Sequence, residues 1–389
     1  MENISLLRPN RFTIDLHVIG ENTAALRKLA TSPVKFFATI KADAYGFGLI
    51  PVARTVLAAG ADALSVVRLE DAVALREAGI RCPILLYAGQ VLGAEQVGAI
   101  ETYDLWPAVH HRHALEALDR HLTRPIDCAL KIECGQERLG VQAEEAAAFS
   151  AAMLATGKLR IKVVHTHPHV EGDADHLQWQ FDRFIRAWQA VSNQMTALPP
   201  IAVFAGTKAL SMRPDMMLTG IDPGQALFRL PAALASSPGS PPTPFHSLTS
   251  KLIHVYEVKR DEFLTQSLVP TALGSRVGIV PIGYGDGMTR LHAREVLIHG
   301  RRARVITPLS VEYTRIDLTG MPDAQVGDEV AFVGRQEDAC ISPDEVMAHA
   351  GVPRVTDLVI PLGLAVPRHY LPYQPGVPIS QSSSMAASQ

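Results

Sequence analysis

Cysteine is scarce in this 389-residue chain: Cys82, Cys128, Cys134 and Cys340 are scattered, with no metal-type pairing among them. That spacing excludes a disulfide framework and points to reduced thiols in a cytoplasmic protein. Long apolar runs are missing too, since none reaches the length of a membrane span. The opening stretch, Met1 to Asn10, lacks the basic segment and apolar core of a signal peptide, so no membrane partner is expected. Neither sign of charge dominates. With 36 Lys+Arg against 39 Asp+Glu the formal charge is -3, which leaves no electrostatic case for nucleic acid or anionic lipid. What is present, 47% hydrophobic and 19% charged residues, is ordinary for a globular protein. The length admits two domains, or a barrel of about 250 residues with a smaller companion.

Short apolar runs alternate with longer amphipathic ones through the first 240 residues. Strand cores are expected at 36–40, 63–67, 83–87, 105–109, 129–132, 161–165 and 202–205, with a further β-rich stretch at 13–18. Helices are expected at 22–29, 49–59, 69–78, 143–155 and 176–195. Strands alternating with helices argue for parallel βαβ units, and the repeat count over roughly 230 residues suits an eight-stranded (β/α)8 barrel. The pattern alone also admits an open doubly wound sheet. Ser236 to Pro244, rich in Ser and Pro, reads as a linker. Beyond it, β-type runs separated by Gly, Asp and Pro turns follow one another, and only 343–350 looks helical. The expected organisation is therefore a barrel over 11–240, a mainly β domain over 241–375, and a polar disordered tail over 376–389.

The sharpest chemical feature is Phe36-Phe37-Ala38-Thr39-Ile40-Lys41, a buried strand that ends on a lysine, followed by Ala42-Asp43-Ala44-Tyr45-Gly46-Phe47-Gly48. A strand-end lysine can snorkel to water. Partly desolvated instead, its amine has a lowered pKa and becomes a competent nucleophile and base. The string Ile40 to Gly48 resembles the pyridoxal-phosphate lysine motif of the alanine racemase family, with Phe47 where that family usually has His. A second segment far along the chain, Pro281-Ile282-Gly283-Tyr284-Gly285-Asp286-Gly287, closely resembles the family's Pro-Ile-Gly-Tyr-Ala-Asp-Gly. The resemblance extends over residues 11 to 372.

That resemblance implies a barrel plus β domain and a head-to-tail homodimer with pyridoxal phosphate as cofactor. It also implies racemisation of an amino acid by two bases, Lys41 on one face and Tyr284 of the second chain on the other. Inverting a stereocentre needs proton donors on both sides of a planar carbanion. Tyr45 is carried over as a cofactor contact. Lys131 to Gly140 matches the family's arginine loop in outline, with Glu133 and Gln136 replacing its Asp and Met. Arg138 is accordingly the residue expected at the cofactor's phenolic oxygen and the substrate carboxylate. Read alone, it is a surface arginine. Lys131 matches a lysine that supports this arginine.

His165, His167 and His169, followed by Glu171, Asp173 and Asp175, share one face and could converge on a metal. The run ends a strand, however, where one histidine suffices for a barrel-mouth site, and no metal is expected. By resemblance His167 stacks on the cofactor ring. Thr207, Gly224 and Gln225 lie on small-residue turns suited to a phosphate.

The family's arginine at the pyridine nitrogen falls on Asp222, a carboxylate, which favours a protonated ring. Its Met-Asp substrate pair falls on Val311 and Glu312, and its late phosphate tyrosine on Thr356. Both Val311 and Thr356 are smaller than the residues they replace, so a substrate larger than alanine is expected. Asp222 also motivates alternatives on the same cofactor, namely decarboxylation, β-elimination or retro-aldol cleavage. A non-catalytic cofactor carrier is a further alternative, against which the Tyr284 segment weighs.

Overall fold

The computed structural model describes residues 8–31, 33–170, 174–196, 198–235, 240–259 and 274–377. Glu171, Asp173, positions 236–239 of the Ser/Pro-rich stretch and the tail from 378 lie outside these residues. The described residues within 19–44 and 49–242 form one compact unit, and those within 8–18, 45–48 and 243–377 form the other. The first strand, β1 (Arg11–Asp15), belongs to the second unit.

The first unit is a closed barrel. Its strands are β2 (Lys35–Thr39), β3 (Ala63–Val66), β4 (Ile84–Leu86), β5 (Trp106–Val109) and β6 (Ile126–Glu133). After the short β7 (Val141–Gln142) come β8 (Leu159–His165), β9 (Ile201–Ala205) and β10 (Gly220–Ile221). Parallel pairing runs β2-β3-β4-β5-β6-β8-β9-β10 and back to β2, while β7 adds only to β6. Seven of these eight strands contain an apolar run legible in the sequence. The eighth, β10, is two residues long and carries no such run. Phe37, Ala63, Leu85, Ala108, Ala129, Val163 and Val203, one from each of the other seven strands, pack as a buried cluster. Side chains alternate along a strand. The face that holds Phe37 therefore continues to Thr39 and Lys41, that of Leu85 to Tyr87, that of Ala129 to Lys131, and that of Val163 to His165. Apolar packing below thus places four polar groups and Tyr87 at one end.

The second unit is mainly β, with strands β11 (Phe245–Lys251), β12 (His254–Glu257), β13 (Arg276–Val280), β14 (Glu295–Ile298), β15 (Arg301–Ile306), β16 (Thr314–Asp317), β17 (Glu329–Gln336), β18 (Ala339–Ile341) and β19 (Arg368–Leu371). They pair in the order β12-β13-β16-β15-β14-β17-β11-β1-β19, with β18 on β17. Phe12 of β1 packs edge-on against Phe245, ring centroids 5.0 Å apart.

Two local expectations fail. Residues 16–18 are helical, because the Asp15 carboxylate accepts the His17 N–H at 2.8 Å and starts a helix over Leu16–Leu29. Val355–Gly363 is a second helix in the β unit, despite Pro361. The proline stands near its C-terminal end, where the missing N–H costs one hydrogen bond, and Leu358, Val359 and Leu362 are buried.

Candidate functional site

Lys41 follows β2 directly and opens a turn of unusual handedness. Ala42, Asp43, Ala44 and Tyr45 all have φ between 52° and 56°, a left-handed run without glycine. Each such residue costs about 1–2 kcal/mol relative to the right-handed form. Two contacts hold the run: the Ala44 N–H donates to the Ile40 carbonyl at 3.0 Å, and Asp43 Oδ1 accepts from the Leu49 N–H at 2.7 Å. Strain of this kind persists where surrounding structure over-determines it, and such places cluster at functional sites. Burial lowers the pKa of the Lys41 amine, Arg138 lowers it further, and Asp222 opposes the shift.

Asp222 follows β10 and is 8% exposed. Its Oδ2 accepts from the Tyr87 hydroxyl at 2.6 Å, and its backbone carbonyl accepts from Thr39 Oγ1 at 3.1 Å. Its Oδ1 is buried without a hydrogen-bond partner. Burial pushes this carboxyl up to about 6 against the pull of Tyr87, Lys131 and Lys41. Lys131 is buried and pushed down to about 8, chiefly by desolvation. His165 stacks on Tyr87 at 5.3 Å between centroids, and both its ring nitrogens are buried without partners. Burial, then Lys131, holds it well below the usual histidine range, so the ring is neutral.

Arg138 is exposed on a loop organised by Glu133. One carboxylate oxygen of Glu133 accepts from the Gln136 N–H at 2.7 Å and also from the Gly135 N–H; the other accepts from the Arg138 N–H at 3.2 Å. Burial alone would raise this carboxyl, but backbone N–H groups from 135 to 138 together hold it below its ordinary value. His167, just past β8, keeps exposed surface while the protein around it desolvates the ring. That desolvation, with Lys131, Arg138 and Lys41, brings it down to about 4. Thr207 Oγ1 accepts from the backbone N–H groups of Gly224, at 3.2 Å, and Ala226, at 3.1 Å, which brings Thr207 and the 224–225 turn together. Among the described residues, no cluster of three or more His, Cys, Asp and Glu is placed to hold a metal.

In the β unit, Tyr284 is 50% exposed on a short 3-10 turn, Tyr284–Asp286. Its N–H donates to the Ser310 carbonyl at 3.0 Å, and that of Gly285 to the Val311 carbonyl at 2.8 Å. A Cβ at Gly283 would lie 2.3 Å from the Ser310 oxygen, so only glycine admits this approach. Val311 and Glu312 are exposed on the adjoining loop. Buried Asp286 accepts from the Gly283 N–H at 2.9 Å and pairs with Arg8 at 2.5 Å. Thr356 is fully buried on the helix Val355–Gly363. Residues 45–48, including buried Tyr45, press against that helix: a Cβ at Gly46 would meet the Val359 oxygen at 2.6 Å.

The donor set of the barrel fits a phosphorylated aldehyde with a basic ring. It offers a desolvated amine, an arginine for an anionic oxygen, the Thr207 hydroxyl at a small-residue turn, and a buried carboxylate oxygen lacking a donor. A Cβ at Gly206 would come within 3.5 Å of that oxygen and 3.7 Å of the His167 ring, so the glycine keeps space open between them. Sequence reasoning missed Tyr87, and it met His165 only as a metal candidate. The usable signal was the period of two that carries Leu85 to Tyr87 and Val163 to His165.

Comparison with known proteins follows the same outline. Residues 14–231 match the family model for the alanine racemase N-terminal domain, and 245–370 that for its C-terminal domain. A catabolic alanine racemase of Pseudomonas putida is 33% identical over 360 residues, covering 89% of this chain and 94% of the relative. An alanine racemase of Pseudomonas taetrolens matches to the same extent. The crystal structure of alanine racemase from E. faecalis superposes with a TM-score of 0.81 at 26% identity, covering 94% of this chain and 98% of that one.

Proposed function

The chain belongs to the alanine racemase family of isomerases, and from that premise we propose that it interconverts the L- and D-forms of a free amino acid, alanine or a larger one, with Lys41 and Tyr284 as its acid–base pair. The observation that carries the reading is the desolvated Lys41 amine, held at a strained turn beside Arg138. Enzymes of this family use pyridoxal phosphate, whose electron-withdrawing ring delocalises the charge left at the α-carbon when its proton departs.

The residues of this chain do the rest. Lys41, with its lowered pKa, keeps a useful neutral fraction, binds the cofactor's carbonyl carbon, and takes or returns the α-proton on the D-side. Tyr284, exposed on its turn, serves the L-side from a second copy of the chain, so the active form is a homodimer. Arg138, positioned through Glu133, binds the phenolic oxygen and the substrate carboxylate. His167, neutral at physiological pH, packs its ring on the cofactor without adding charge. Thr207, Gly224 and Gln225 bind phosphate, assisted by Tyr45 and Thr356, while Val311 and Glu312 face the substrate. The small, exposed Val311 side chain supports acceptance of amino acids larger than alanine, whereas fully buried Thr356 adds nothing to that reading. The four free cysteines fit a reducing, cytoplasmic setting, and no described helix is long and apolar enough to cross a membrane.

Buried Asp222 supports a second reading, in which the same cofactor serves decarboxylation, β-elimination or retro-aldol cleavage. Proton NMR in heavy water with L-alanine and a panel of larger L-amino acids separates the readings. Loss of the α-proton signal with appearance of the D-isomer supports racemisation and names the substrate. New amine, keto-acid or aldehyde signals support the second reading. A coloured protein inert towards every amino acid would leave it a cofactor carrier.

A further inference from the structure

The Asp222 carboxylate is half satisfied. Its Oδ2 takes a short hydrogen bond from Tyr87, while its Oδ1, equally buried, has no donor and borders the space kept open by Gly206 beside His167. A buried acceptor without a donor is costly, so the oxygen calls for a ligand that supplies one. The Lys41 reading determines which ligand atom that is. Of the polar atoms on pyridoxal phosphate, the phosphate and phenolic oxygens are anionic and would be repelled by a carboxylate. The carbonyl carbon is taken by Lys41. Only the ring nitrogen remains, and it can donate only when protonated.

We infer that Asp222 is the acceptor for a protonated ring nitrogen of the cofactor, and that Tyr87 is the positioning residue that aims this carboxylate and keeps it ionised. The Tyr87 hydroxyl satisfies one oxygen and leaves the other for the ligand. Stacking on His165 fixes the tyrosine ring, and the Thr39 hydroxyl lies 3.4 Å from the Tyr87 oxygen while bonding the Asp222 backbone. A neutral Asp222 would present the nitrogen with a competing donor. Loss of the Tyr87 bond therefore shifts the shared proton from the ring towards the carboxyl.

The inference rests on attachment of the cofactor to Lys41, and the test separates the two. Holoenzyme loaded with ring-15N cofactor is examined by nitrogen NMR, then reduced with borohydride and mapped by mass spectrometry. A pyridoxyl adduct on Lys41 with a pyridinium-type nitrogen shift is the expected result. In Asp222→Asn the shift should move to the free-pyridine position, and in Tyr87→Phe part of the way, a change that a merely structural tyrosine would not produce. An adduct with a free-pyridine shift in the unmodified enzyme would overturn the Asp222 assignment alone. Unmodified Lys41 would overturn the reading beneath it.

A second measurement does not depend on a variant that folds. A cofactor analogue with C–H in place of the ring nitrogen, titrated into the apoenzyme, should bind roughly tenfold or more weakly than pyridoxal phosphate, because a charged hydrogen bond is lost. Equal affinity would overturn the inference.

Discussion

The two units carry their candidate groups in opposite ways. The barrel gathers Lys41, Lys131, His165 and Asp222 where water is scarce, and burial is the leading cause that displaces each from its ordinary protonation range. The β unit instead presents Tyr284 half-exposed, on a turn fixed by backbone contacts and by buried Asp286. Burial tunes a group within its own chain, whereas an exposed group takes its environment from whatever docks on it. On the proposed function, reactivity in the barrel is built into one chain, and that of Tyr284 depends on assembly.

The severest break of this contrast is Lys41→Ala. It removes the proposed acid–base amine, and racemisation measured by chiral analysis should fall by roughly 10⁴-fold or more. Loss of less than tenfold would mean the chemistry lies elsewhere. Tyr284→Phe should cost ~10²–10⁴-fold with an asymmetric signature. Solvent exchange of the α-proton should persist from the D-isomer, through Lys41, and disappear from the L-isomer. Symmetric loss would argue against opposite-face bases.

Asp222 sharpens the comparison through pH. Its carboxyl stands at about 6 in the fold against 3.8 for the free group. Between those values the folded state holds more protons than the unfolded one, so stability declines as pH rises through that window. In the cofactor-free protein, Asp222→Asn should be nearly neutral near the lower value and stabilising above the upper one, by on the order of 3 kcal/mol. Urea unfolding of both proteins across the window reads this, and parallel pH profiles would contradict it. The smallest effect is Arg8→Ala, which strips a partner from buried Asp286 but removes a half-exposed arginine. Stability should fall by roughly 1–2 kcal/mol, with kcat reduced more than KM through the Tyr284 turn. Unchanged thermal unfolding would show that the pair contributes nothing.

Much of this was legible in the chain. Seven barrel strands have apolar runs of ordinary length, and Lys41 and Tyr284 sit in motifs specific enough to suggest a family. Asp222 could be identified as a departure from that family because Pro223 and Gly224 anchor its position. The two-residue β10 left no periodicity to detect, and the helix at Val355–Gly363 hid behind an apolar, proline-bearing run. The left-handed turn at Ala42–Tyr45 contradicts the preference of every residue in it, and only its surroundings hold it there. Tyr87 was missed because a tyrosine ending a short strand has no distinguishing neighbour in sequence, and only the period of two from Leu85 pointed to it.

The sequence by itself determined a chain of nearly balanced charge with scattered cysteines, patterned in two different parts, with a lysine and a tyrosine in recognisable settings, because composition and local motifs are properties of neighbouring residues. The tertiary structure alone decided that Asp222 meets Tyr87 across 135 positions. It also decided that His165 stacks on Tyr87 and that one carboxylate oxygen of Asp222 is left without a donor. Those are consequences of barrel closure, which brings distant strand ends to one desolvated mouth.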